Sequence, residues 1–168
     1  RLPWLIILLF LGLFSASLIG RFEDALSQKA ILAIFIPLIG GMAGNSGTQA
    51  LAVAVRGIAT GDLEQASKWK LVLREAGTGV ITGATCGILI SMVIFLWQGD
   101  VYLGFLVGIS ILATIIVATL AGTLVPLLMH KMKIDPAVAS GPFITTISDL
   151  ISILIYFGMA TMFMGYLL

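Results

Sequence analysis

The feature that most constrains this chain is where charge is absent. Asp, Glu, Lys and Arg occur only at residue 1, within 21–29, within 56–75, at 100, within 131–135 and at 149. Between them lie long apolar blocks, and 60% of the 168 residues are hydrophobic against 10% charged. A soluble domain is about 25% charged, so a water-facing fold is excluded, and with it a soluble enzyme. Each block reaches the roughly 20 residues that carry a helix across a bilayer. Barrel strands would instead be about 10 residues of alternating polarity. The reading is therefore an all-α integral membrane domain of five transmembrane helices, about 2–20, 30–55, 76–99, 101–129 and 136–168, in a single domain over 1–168.

The loops set the orientation. Seven basic residues fall on the side that holds Arg1 and two, Arg21 and Lys29, on the other. The excess of positive charge marks the cytoplasmic face, so the N-terminus is expected inside and the C-terminus outside. Within 56–75, Gly61 breaks a helix and Asp62 with Gln65 forms a capping-box-like start. Leu63, Ala66, Trp69 and Leu73 fall near one face, which predicts an interfacial helix over about 62–75. The opening Arg-Leu-Pro-Trp has neither an initiator Met nor a signal-peptide n-region, so the chain is expected to be the membrane part of a longer protein.

Asp149 is the exception to the charge map. It lies fourteen positions past Asp135, about 20 Å along a helix and beyond the middle of a ~30 Å hydrocarbon core. An ionised carboxylate there costs at least ~2.5 kcal/mol unless it faces water or a partner. No Lys or Arg lies in another span to pair with it, so it is either protonated or meets a cation from outside the chain. Thr145, Thr146 and Ser152, at i−4, i−3 and i+3, share its side of the helix. Gly141-Pro142 is expected to free the carbonyl of Val138, and Asp135 and Pro136 suit the helix start.

The second span carries the other polar cluster, Pro37 to Gln49, with two amides, two hydroxyls and four glycines between Gly40 and Gln49. Gly41 and Gly44 permit close helix packing. Asn45, Thr48 and Gln49 stack on one stripe, and oxygen donors of this kind suit a hard cation such as Mg²⁺ or Ca²⁺. Other chemistries lack their residues. One histidine, His130, and one cysteine, Cys86, support neither haem nor zinc nor an iron–sulfur cluster. There is no phosphate-binding loop and no Ser/His/Asp set. Glu23, Asp24 and Asp100 are candidates for gathering cations at the outer mouth. Three readings remain open on residues alone: an ion channel, a carrier coupled to H⁺ or Na⁺, and a non-transporting subunit.

Pro37-Leu-Ile-Gly-Gly-Met-Ala-Gly-Asn-Ser-Gly-Thr-Gln49 resembles the second-helix signature of the MgtE family of magnesium channels. Asp135-Pro-Ala-Val-Ala-Ser-Gly-Pro-Phe-Ile-Thr-Thr-Ile-Ser-Asp149 resembles its fifth-helix signature, in the right order and spans. The resemblance implies a C2 homodimer with a central pore along the dimer axis, lined by helices two and five. It implies that Asp149 binds Mg²⁺, that the Thr145 backbone faces the ion or its water, and that Gly41, Gly44 and Thr48 line the same path, with Asn45, Gln49, Thr146 and Ser152 as further lining candidates. It also implies a multi-pass protein of a bacterial or archaeal inner membrane, with cytosolic CBS-type regulatory domains N-terminal to this chain and absent from it.

Overall fold

The structure, a computed structural model, describes residues 2–21, 30–60, 65–133 and 141–162. Among them are five long α-helices and no strand: α1 (Leu2–Arg21), α2 (Ile36–Ala59), α3 (Gln65–Gln98), α4 (Val101–Lys131) and α5 (Gly141–Met162), with a 3₁₀ turn at Ala30–Phe35 leading into α2. Pro37 sits in the first turn of α2, where its missing N–H breaks no helical bond.

Three helices meet both the length and the composition of a membrane span: Lys68–Gln98, Val101–Lys131 and Phe143–Met162. Leu5–Arg21 is a shorter apolar helix. The outer surface is apolar, with Leu5, Phe10, Phe14, Ile81, Ile88, Leu96 and Trp97 all exposed. That is an inside-out distribution for water and the ordinary one for lipid.

The centre of the bundle is α4, which packs on α2, α3 and α5. Its core side chains Leu103, Leu106, Val107, Ile111 and Ile115 meet Ile39, Ile94, Tyr156 and Phe157 in one cluster. α3 packs almost wholly on α4. The two are joined by Gly99 and Asp100. Gly99 takes φ +68°, a conformation open to glycine at no steric cost. The Asp100 carboxylate caps α4, with the Leu103 N–H donating to it at 3.1 Å. That assigns Asp100 a local structural task. Glu23 and Asp24, its expected companions at an outer mouth, lie outside the described residues.

The α3–α4 hairpin closes through backbone. A β-carbon added at Gly87 would lie 2.7 Å from the Gly108 carbonyl oxygen, and one at Gly104 would lie 2.9 Å from that of Ser91. The Ser91 hydroxyl donates to the Gly104 carbonyl across the same seam.

One expectation is corrected. No separate interfacial helix precedes the third span: α3 runs unbroken from Gln65 to Gln98. Residues 65–76 contain no Gly or Pro, and Leu71 packs with Ala54 and Leu127, so this stretch continues the third span and packs against the bundle. Asp62, its expected cap, lies outside the described residues. So do Asp135, Pro136 and Val138, and α5 is described from Gly141.

Candidate functional site

α2 and α5 run antiparallel and touch through the small residues of α2. A β-carbon added at Gly40 would lie 3.2 Å from Asp149 Oδ1 and 3.7 Å from Ser152 Oγ. One turn on, the Gly44 position would meet Thr145 Cγ2 at 3.3 Å, and the Gly47 position would meet Ser148 Oγ at 2.7 Å. Gly47 is also crowded by Gly122 of α4, so three helices converge there. The glycines thus bring the backbone of α2 against the polar side chains of α5.

Beside this seam is a cavity of about 410 Å³ between α1, α2 and α5. Asp149, Thr146 and Ser152 line it from α5, and Pro37, Gly40 and Gly41 from α2. Asp149 is half-buried. Among the described residues lining the cavity it is the single ionisable one. Ser152 donates its hydroxyl hydrogen to the Asp149 carbonyl at 2.7 Å, which leaves the hydroxyl oxygen as an acceptor. The donors here are all oxygens: a carboxylate and hydroxyls, a set that suits a hard divalent cation. Among the described residues no three His, Cys, Asp or Glu side chains cluster. One carboxylate per chain is therefore the strongest cation ligand this region supplies.

The other expected site residues separate into two groups. Thr145 is half-buried and turned toward Gly44, one turn away from the carboxylate. Thr48 is half-buried, and its hydroxyl donates back to the Gly44 and Asn45 carbonyls at 2.9 and 3.1 Å. Gly44 is buried, whereas Gly41, Asn45 and Gln49 lie on the exposed face of α2. Within one chain, Asn45, Thr48 and Gln49 do not reach the Asp149 cavity. An exposed strip of amides midway along an apolar helix bundle is the kind of surface that bilayer hydrocarbon does not tolerate and that a partner or a water path satisfies.

Reading the sequence did not find the contribution of α1. Leu8, Gly12, Ser15, Ala16 and Ile19 form the third wall of the cavity. Ser15 donates to the Leu11 carbonyl at 3.2 Å. The signal was present: Gly12, Ser15, Ala16 and Ile19 follow i, i+3, i+4, i+7 spacing in a helix made mostly of Leu, Ile and Phe.

Comparison with known proteins places the chain among relatives. The family model described as "MgtE: Divalent cation transporter" matches residues 36–159. The chain is 51% identical over 163 residues to a magnesium transporter MgtE of Bacillus subtilis and 56% identical over 166 residues to one of Enterococcus faecalis. It is 33% identical over 160 residues to one of Thermus thermophilus. These alignments cover 95–99% of this chain and 35–37% of the relatives, so the chain spans little more than a third of their length.

Proposed function

The chain belongs to the MgtE family of divalent cation transporters, and from that premise we propose that it forms the pore of a Mg²⁺ channel, with Asp149 as the ion site. The observation that carries the reading is the placement of Asp149. It is one carboxylate in a cavity between three apolar helices, beside hydroxyls and glycine backbone. The pore is a C2 homodimer of five-span subunits with the N-terminus in the cytoplasm, set in the cell membrane. The axis runs past α2 and α5, so that the exposed Gly41, Asn45 and Gln49 of each copy face the partner and the ion path.

The physics supports this assembly. A single carboxylate balances half the charge of a divalent ion, and a two-fold axis sets two copies at one level. Mg²⁺ prefers six oxygens at octahedral geometry and dehydrates reluctantly. Thr145, Thr146, Ser152 and Asp149, together with the Thr48 position, offer acceptors to the waters of a hydrated ion, a hold weak enough to release it. The membrane potential supplies about 4.6 kcal/mol per 100 mV for an inward divalent charge, so no coupling ion is needed. The remaining two thirds of the relatives' length accommodates cytosolic CBS-type domains that regulate the pore.

The test is Mg²⁺ flux into liposomes bearing this chain, wild type against Asp149→Asn, with a potential and no other ion gradient. The expected result is flux in the wild type and only background in a still-folded variant. Flux that appears only with an H⁺ or Na⁺ gradient would replace the channel with a coupled carrier. Equal flux in both would remove Asp149 from the site.

A further inference from the structure

At the opposite corner of the molecule, α3 and α4 leave a second cavity, of about 540 Å³. Its walls are Val72, Leu124 and Leu128, with Trp69, Lys68 and Lys131 among the remaining lining residues. This volume is within the roughly 300–1,000 Å³ range of small-molecule sites. Among the described residues that line it, none is acidic. Lys131 is the last residue of α4, and Lys68 lies one turn into α3, so the two ammonium groups mark the end of the hairpin on the lysine-rich side of the chain. Trp69 is 70% exposed beside them. Trp is the residue that settles at headgroup depth.

The groove exists because α3 is unbroken. The first turns of α3 stand beside the last two turns of α4, and the gap between them is lined by apolar side chains with Lys68 and Lys131 at one end. We propose that this groove is a binding site for an anionic phospholipid, its acyl chain along Val72, Leu124 and Leu128 and its phosphate between Lys68 and Lys131. Charge complementarity selects the occupant. Two lysines, with no carboxylate among the described lining residues, favour a headgroup of net negative charge over a zwitterionic one, as basic pockets between spanning helices do generally. The site is separate from the Asp149 cavity, with which it shares no described lining residue, and it does not depend on the proposed ion path.

The test is native mass spectrometry of the chain released from nanodiscs of equal phosphatidylglycerol and phosphatidylcholine. The wild type retains phosphatidylglycerol in preference. Lys68→Gln/Lys131→Gln loses that preference, while Lys70→Gln/Lys133→Gln, with the same change in charge outside the groove, keeps it. Leu128→Trp, which fills the groove and leaves both lysines, lowers retention of the lipid. Melting in phosphatidylcholine alone checks that each variant is folded. No preference in the wild type, or equal loss in both lysine pairs, would overturn the site in favour of diffuse surface charge. Displacement of the lipid by soluble glycerophosphoglycerol would reduce it to an anion site without an acyl groove. Leu128→Trp that splits a dimer without changing lipid retention would make the groove an interface between copies.

Discussion

Two helix pairs in this molecule use glycine for opposite ends. In α3–α4 the glycines bring backbone against backbone: Gly87 faces the Gly108 carbonyl and Gly104 faces that of Ser91. The seam is sealed. In α2–α5 the glycines of one helix face polar side chains of the other: Gly40 the Asp149 carboxylate and Gly44 the Thr145 side chain. There the seam opens into a cavity. The small-residue pattern is the same, and the chemistry of what it approaches distinguishes scaffold from site.

The sharpest way to break this contrast is to separate flux from stability. Asp149→Asn, nearly isosteric, is expected to leave thermal melting within about 1 kcal/mol of wild type while Mg²⁺ flux in liposomes falls to background. Gly87→Ala should do the reverse. Its new methyl would lie 2.7 Å from a backbone oxygen that cannot rotate away, and overpacking of this kind typically costs about 1–3 kcal/mol. Its melting point in detergent should fall, with flux per folded molecule kept. If Gly87→Ala melts like wild type, α3–α4 is not the close backbone contact described above.

Gly40→Ala lies between these extremes. Its methyl would sit 3.2 Å from Asp149 Oδ1, and a side chain, unlike a backbone, can shift by a few tenths of an ångström. A partial loss of flux with little change in melting is expected. The smallest effects come from Gly41→Ala and Gly77→Ala, each with nothing within 4 Å of the added carbon. Both should melt at or slightly above wild type, because Ala is favoured over Gly in a helix by about 1 kcal/mol. Flux separates them: reduced in Gly41→Ala, which lines the Asp149 cavity, and unchanged in Gly77→Ala. Equal flux in the two would take Gly41 off the ion path.

Much of this was legible in the sequence. Charge-free blocks located the helices, because in lipid the backbone must satisfy itself within each span. Asp149 stood out because no neighbouring charge explained it. The approach of Gly40 to Asp149 was not legible, since it joins residues more than a hundred positions apart and depends on the angle at which α2 crosses α5. The third wall of the cavity escaped notice because Gly12 and Ser15 carry no charge and few polar atoms. The expected separate helix over 62–75 is, from Gln65 on, part of the third span. The contact with Leu127 is made by Leu71, which lies off the face predicted from Leu63, Ala66, Trp69 and Leu73, and of that face Trp69 and Leu73 stay exposed. The spacing alone does not show that the stretch continues the third span.

The two-residue connection at Gly99 and Asp100 also orders events in time. α3 and α4 are adjacent in the chain, so their pairing closes almost no loop and can begin as soon as both helices exist. α2 and α5 must wait until the last helix has emerged. Before then the protein has α1 to α4 without Asp149, and the Asp149 cavity exists only once α5 is in place. On the proposed function, a molecule stalled before α5 would leave the membrane's ionic gradients intact.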